Sequence, residues 1–418
     1  MCFLNMKSAK LDKTIAVAMS QHKSLRDSAG QAGGLKKKLI AVAMSGGVDS
    51  STTALLLKKQ GFEPMGFFMR LIDRQTAGEL AARKVCRKLN IKFYVIDLSK
   101  QFKKLVIDYF LTGYRTGLTP NPCIRCNQLI KFGELLKAVK SLGADYLATG
   151  HYVKIFPPKA DQPLAEKIKN KYKLLRAKDK TKDQSYFLYT LTQKQLTSIL
   201  FPLGNYTKKQ VRQIAERADL PYLKQESQDI CFLAGGDHNN FLRQNLKLTP
   251  GPIVLFPSLK KGRIAPLVKG GRGVIIGQHQ GLPLYTIGQR RGVKIGGSGP
   301  YYVVKTDYKT NTLFVVKNYN DLRLFGKQLT ATKVNWLSGK QPKFPLTCQA
   351  VIRYRHPAVK CKITPLVKGG KGIYAPLKKG GRGVNVLVRF SQPQRAITLG
   401  QSVVFYQGNQ VLGGGVIK

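Results

Sequence analysis

Acidic side chains are scarce in this sequence: 21 Asp and Glu stand against 71 Lys and Arg, for a formal net charge of +50 over 418 residues. Such an imbalance marks a polyanion binder, or else a generally basic proteome that keeps its proteins soluble. Long apolar runs are missing as well. None approaches the ~18 to 20 residues of a membrane span, which excludes a helical membrane protein. The opening stretch MCFLNMKSAKLDK has no apolar segment of signal-peptide length before its lysines. Cysteines are few and odd in number, seven in all (Cys2, Cys86, Cys123, Cys126, Cys231, Cys348 and Cys361), which excludes a secreted disulfide framework. These absences predict a chain that works in a reducing cytoplasm, away from membranes.

What is present is a globular composition, 43% hydrophobic and 22% charged, in a chain long enough for two or three domains. Three basic segments look appended or inserted. Residues 1–37, 260–273 and 362–383 together carry sixteen net positive charges, so the remaining body still holds +34. The string IAVAMS occurs at Ile15–Ser20 and again at Ile40–Ser45, and only the second copy runs on into GGVDSS, so residues 1–37 read as a loose extension. IAPLVKGGRGV, ITPLVKGGKGI and YAPLKKGGRGV, starting at residues 264, 363 and 374, are too sparse for a solenoid and read as exposed loops, either passive or RNA-binding.

Between these segments the periodicity is regular. LIAVAM is a strand covered on both faces, with a helix from Ser50 to Gln60 behind it; EPMGFFM and KFYVID are further strands, with a helix from Gly78 to Leu89 between them. Helices are predicted over Gln101–Thr116 and Leu129–Ser141, followed by a strand at DYLATG. The alternation argues for a parallel, doubly wound sheet. HYVKIF and KYKLLRA form a hairpin with a long loop, and Thr207 with Gln210 opens a helix through Ala218 by a capping box. From Pro250 onward, YYVVKTD, TLFVVK, CQAVIRY, VNVLVRF and SVVFY predict an all-β end domain, a small barrel.

Two places carry chemistry. AMSGGVDSS joins a buried strand to a helix like a phosphate-binding loop, but lacks the lysine of the commonest such loop. Adjacent glycines let the backbone approach phosphates at the helix N-terminus, the hydroxyls of Ser45, Ser50 and Ser51 can donate, and Asp49 is placed to orient a magnesium ion; the plain alternative is a Gly-rich turn capped by Asp49 or Ser50. In TPNPCIRCNQLIKFG, Cys123 and Cys126 stand at the mouth of a helix expected near Gln128. There the dipole, Arg125 and Lys131 would lower a thiol pKa. The pair is also half a zinc site, though no second C-x-x-C or H-x-x-x-H completes it. Cys231, in SQDICFL, taken alone is a buried hydrophobe.

The glycine loop resembles that of the ATP-dependent adenylating enzymes, which release pyrophosphate. With GFFMR, LATGHYVKI, KDQSYFLYTLTQKQL, FPLGNYTKKQVR, SQDICFL, YTIGQRRG, VIRYRHP and LGQSVVFYQGNQVLGGGVI in order, the chain from Leu39 to its end is similar to the tRNA-specific 2-thiouridylases. The resemblance implies an α/β adenine-nucleotide-hydrolase-like (Rossmann-like) domain over 38–225, a central domain over 226–300 and a C-terminal β-barrel over 301–418. It implies adenylation of C2 of the wobble uridine in tRNAs for Lys, Glu and Gln, then sulfur transfer from a cysteine persulfide, with ATP and Mg2+ as cofactors, tRNA and a persulfide-donor protein as partners, and a monomeric state.

By motif, the resemblance assigns ATP to Ala43, Met44, Ser45, Gly46, Gly47, Val48, Asp49 and Ser50, with Met69 and Gly150 lining the adenine and ribose pocket. Asn121, Pro122 and Cys123 would approach the base, Cys126 would be the nucleophile and Cys231 the persulfide carrier, and a transient Cys126–Cys231 disulfide would follow. His151, Lys182, Asp183, Gln184, Arg353, Tyr354 and Gln401 would touch tRNA. Plainer readings stand beside these: His151 as a loop residue closing a strand, Asp183 and Gln184 as caps of a helix from Ser185, and one of Arg353 and Tyr354 turned inward on a strand. Many family members carry Asp where this chain has Cys123, so a second thiol stands three residues from the nucleophile.

Overall fold

The computed structural model describes residues 38–72, 76–157, 171–224, 230–233, 237–257, 273–293, 295, 299–366 and 382–418. The extension over 1–37, the repeat loop at 260–273 except Gly273, and most of the insertion at 362–383 lie outside them.

Strand β1 (Leu39–Met44) is apolar throughout because both its faces are covered. Leu39 and Ala41 join one core cluster, and Ile40, Val42 and Met44 join another on the opposite face. Around it β2 (Glu63–Arg70), β3 (Phe93–Asp97), β4 (Tyr146–Ala148) and β7 (Ile199–Leu200) complete a five-stranded sheet in the order β3-β2-β1-β4-β7, every pairing parallel. Helices α1 (Val48–Lys59) and α2 (Thr76–Lys88) cover one face, with α5 (Lys208–Arg217) packed on α1. Long helices α3 (99–115) and α4 (122–141) cover the other. The parallel, doubly wound sheet expected from the alternation is therefore present.

Two boundaries differ from expectation. Helix α4 starts at Pro122 rather than near Gln128, because Asn121 caps it by accepting from the Ile124 N–H at 3.2 Å and Pro122 occupies the first helical position, where a missing N–H costs nothing. Both α3 and α4 contain a wide-wound π stretch, at Lys103–Ile107 and Asn127–Leu135. Strand β13 (Leu346–Val351) ends before Arg353 and Tyr354, which lie in the following turn, so strand alternation does not govern them.

Strands β8 (Gly251–Leu255), β9 (Val274–His279), β10 (Tyr302–Asp307) and β11 (Thr312–Val316) form a second sheet, ordered β10-β11-β8-β9. YYVVKTD and TLFVVK thus pair within the central unit, beyond the division expected at residue 300. The end barrel closes from six strands, β12 (Phe325–Trp336), β15 (Arg382–Arg395), β14 (Val359–Pro365), β13, β16 (Ser402–Gln407) and β17 (Gln410–Ile417), with β17 pairing back onto β12. Residues 362–365, expected in the inserted loop, are the end of β14 and pair with β15. The hairpin β5 (Val153–Phe156) and β6 (Lys173–Arg176) forms as expected and adds to the barrel edge at β17. One apolar cluster runs through Phe110 and Ile130, Val303 and Leu313, and Val404 and Tyr406, so the three units share a core.

Candidate active site

The sheet order reverses between β1 and β4, the place where a parallel sheet opens a crevice at its carboxyl edge. Ser45–Gly47 leaves β1 there. Gly46 has φ +81°, and an added Cβ would collide with the Gly78 carbonyl oxygen, so only glycine fits. Gly47 is the N-cap of α1 and no side chain caps it, contrary to the capping alternative; Ser50 and Ser51 instead donate to the Gly47 carbonyl at 3.1 and 2.9 Å. Ser45 is exposed at the bend, while Ala43, Met44 and Val48 anchor the loop in the core. Gly150, just past β4, faces this loop: a Cβ there would come within 2.9 Å of Asp49 backbone. Met69 ends β2 at the same edge. The ten residues assigned to nucleotide binding from the sequence thus lie at one edge of the sheet, in the loop after β1, near the end of β2 and just past β4.

The lysine absent from the loop arrives from elsewhere. Lys208, first residue of α5, places its ammonium 2.7 and 2.8 Å from the two carboxylate oxygens of Asp49, and the Tyr152 hydroxyl donates to Asp49 at 2.7 Å. Lys208 is buried. Its position is set by the capping box of Thr207 and Gln210, present as expected, and by its N–H donating to Asp179. Asp49 is therefore paired with a cation of the chain itself. Among the described residues no group of three His, Cys, Asp or Glu side chains could hold a metal ion.

Cys123 and Cys126 lie in the first turns of α4, half-buried and buried respectively, while Cys231 is exposed on a short turn, Cys231–Leu233. That turn is fixed by Phe232, whose ring packs 5.3 Å from Phe110 and 6.0 Å from Phe102 of α3. The chain leading to it crosses the glycine loop, where the Leu223 N–H donates to the Gly46 carbonyl. All three sulfurs feel one another. Burial pushes the Cys126 thiol up to about 12, and ionised Cys231 and Cys123 push it the same way; burial and Cys231 raise Cys123 to about 11. Cys231, though its surface is open to solvent, is raised too, by the protein packed around its turn.

The expectation of lowered thiol pKa values is thus overturned, because desolvation is the largest influence at each thiol. Lys131 is the cation that opposes it at each sulfur. Arg125 turns away, donating to the Leu105 carbonyl and lying 4.9 Å over the Tyr109 ring.

The residues expected to touch tRNA divide. His151 is buried among Phe132 and Phe201, its Nδ1 2.7 Å from the Thr149 hydroxyl, and burial holds it well below the usual imidazole range. Its side chain belongs to the interior. Asp183 is buried and accepts from the Ala177 N–H and from Ser185, and Gln184 accepts from the Tyr152 N–H, so both brace the turn Ser185–Leu188. Lys182 is half-buried and Arg353 is exposed. The Tyr354 ring packs tilted against that of Phe187, 4.4 Å between centroids, joining barrel to α/β unit beside a recess lined by Arg176, Lys180, Tyr186, Arg355 and Tyr406. Gln401 reaches across to donate to the Thr119 carbonyl at 2.8 Å, and Leu399 accepts from the Thr119 N–H. The barrel therefore grips the loop that presents Asn121, Pro122 and Cys123.

Comparison with known proteins decides what this architecture is. The chain is 42% identical over 393 residues to a tRNA-specific 2-thiouridylase of Magnetococcus marinus, covering 90% of this chain and 98% of that one. The chain belongs to the tRNA-specific 2-thiouridylase family. Members from Roseiflexus sp. and Coxiella burnetii are 41% and 38% identical, over 90% and 92% of this chain and 98% and 99% of theirs. Family models described as a tRNA methyl transferase HUP domain, a PRC-barrel domain and an aminomethyltransferase beta-barrel domain match residues 38–235, 239–317 and 326–417, following the three sheets. Among solved structures, the U34-tRNA thiolase NcsA from Methanococcus maripaludis aligns at 20% identity over 55% of this chain and 75% of that one, with TM-score 0.31. Lys208 and Tyr152 escaped the sequence reading: the capping box locates Lys208, but nothing local pairs it with a carboxylate 159 positions away.

Proposed function

We propose that this chain catalyses ATP-dependent 2-thiolation of the wobble uridine of tRNA, giving 2-thiouridine, AMP and pyrophosphate. The observation that carries the reading is that Cys126 and Cys231, about a hundred residues apart in sequence, lie within electrostatic reach of each other, with Phe232 packing the Cys231 turn onto α3 while Arg125 of α4 bonds to the same helix. An oxide ion cannot leave C2 of uridine. Once O2 has attacked the α-phosphorus of ATP, AMP can. The glycine loop and the N-terminus of α1 receive the departing pyrophosphate, and Lys208, exchanging Asp49 for the phosphates, supplies the positive charge the loop lacks. Magnesium enters with the triphosphate as part of the substrate.

A persulfide on Cys231, exposed where a donor protein can charge it, attacks C2 and expels AMP. Cys126 then attacks the Cys231 sulfur as a thiolate, cleaving the sulfur–sulfur bond; one sulfur stays on C2, and a Cys126–Cys231 disulfide remains. Exposed Arg353 and half-buried Lys182, with the cationic recess beside Tyr354, suit the phosphate backbone of tRNA. Incubation of the protein with tRNA, ATP, magnesium and a persulfide source is expected to give 2-thiouridine and AMP in equal amounts. ATP cleavage at the same rate without tRNA would instead indicate a small-metabolite substrate.

A further inference from the structure

The sulfur chemistry proposed above uses two thiols, yet the site holds three. We propose that Cys123 is a resolving thiol that attacks Sγ of Cys126 in the Cys126–Cys231 disulfide and returns Cys231 as a free thiolate for recharging. The inference rests on the thiolation reading and deepens it.

Helical spacing provides the geometry. Cys123 and Cys126 are the second and fifth residues of α4, three apart and hence on one face, where Cβ atoms stand roughly 5–6 Å apart. A disulfide wants about 3.5–4.5 Å between Cβ atoms, so a small local adjustment joins them. Exposure grades in the same direction: Cys126 is buried, Cys123 half-buried and Cys231 exposed. A reductant therefore cannot reach Cys126 directly, while Cys123 gives the buried sulfur an outlet. Cys231 lies within electrostatic reach of both, since its ionised form disfavours ionisation of Cys123 and Cys126, and Lys131 favours the thiolate of all three.

The exchange balances without an oxidant. The Cys123 thiolate forms a bond to Sγ of Cys126, the Cys126–Cys231 bond breaks, and Cys231 leaves with the electron pair and takes a proton from solvent. The Cys123–Cys126 disulfide is then reduced to two thiols by an external dithiol, which is oxidised to its own disulfide. Cys231 can be recharged while this last step proceeds.

The test is a turnover of the full chain with tRNA, ATP, magnesium and a persulfide source, quenched with acid and alkylated, with disulfides mapped by mass spectrometry. In the wild type, a Cys126–Cys231 crosslink should rise and decay into a Cys123–Cys126 disulfide, leaving Cys231 alkylated. Cys123→Ser and Cys123→Ala should accumulate the Cys126–Cys231 crosslink, and their steady-state turnover at limiting dithiol should fall about tenfold and recover at high dithiol. A wild-type chain that makes 2-thiouridine and the Cys126–Cys231 crosslink but never oxidises Cys123 overturns this proposal alone. So does a variant that frees Cys231 as fast as the wild type, or whose loss of turnover high dithiol does not restore. A wild-type chain that makes no 2-thiouridine overturns the proposed function and this step with it.

Discussion

Lys208 and Asp49 show how a single pair can carry a binding site. The ammonium meets both carboxylate oxygens in a largely buried position, and Tyr152 adds a third contact to the same carboxylate. Lys208→Met removes the charge while keeping the stem. It is expected to lower the tRNA-dependent rate of pyrophosphate release by about a hundredfold, in the range of a lost electrostatic contact to a leaving group. Lys208→Arg should recover part of it; equal activity in all three proteins, measured by pyrophosphate release, would remove Lys208 from the chemistry. The thiols give a second prediction. With the Cys126 thiol pushed up by burial and itself buried, alkylation of the tRNA-free protein at pH 8 should modify exposed Cys231 well before Cys126. Lys131→Gln should slow both, and raising the pH should speed both. Peptide mapping of a time course gives the order.

At the scale of elements, α4 and α5 aim the reactive side chains. The N-terminus of α4 is fixed by Asn121 and Pro122 and gripped from the barrel by Gln401 and Leu399, while Tyr308 of the central unit donates to the Tyr114 carbonyl at the end of α3. A Cβ on Gly400 would meet the Thr119 backbone N at 2.8 Å, at φ +86°. Gly400→Ala should therefore displace the cysteine loop and reduce thiolation more than it reduces tRNA binding. Losing the Thr207 cap of α5 should cost about 1 kcal/mol of stability, read from a denaturation midpoint of Thr207→Ala. These elements differ in how far the sequence revealed them. The capping box of α5 is a local signal and was legible. The helix expected near Gln128 begins six residues earlier, at a cap that lies outside the apolar periodicity; the π stretches carry no local pattern at all. Arg353 and Tyr354 continue an apolar run, so the end of β13 was invisible until pairing partners were known.

For the whole molecule, the parallel, doubly wound sheet and the glycine loop were legible because β1 has an unbroken apolar run and its helix follows at once. Contacts between units were not legible, since Gln401 to Thr119 and Asp49 to Lys208 join positions with no shared local pattern. The strongly basic body predicts tRNA affinity that falls steeply with salt, measurable by filter binding across a salt series. Acid should also destabilise the fold. His151 is held well below its ordinary value and His238 below it, both mainly by burial, while hydrogen bonds and ion pairing hold Glu79 and Asp97 below theirs. Groups with depressed folded-state values stabilise fully above their unfolded values, so the histidine contribution is lost as pH falls below about 6.5 and the carboxylate contribution below about 4.5. Thermal midpoints should accordingly drop from pH 7 to pH 5 and again toward pH 4.

The central claim is that the nucleotide crevice and two distant thiols serve one reaction in succession. It is tested most directly by Cys231→Ser, in which pyrophosphate release and 2-thiouridine are measured side by side. The account predicts tRNA-dependent pyrophosphate release without any 2-thiouridine. Formation of 2-thiouridine by this variant at the wild-type rate would contradict it.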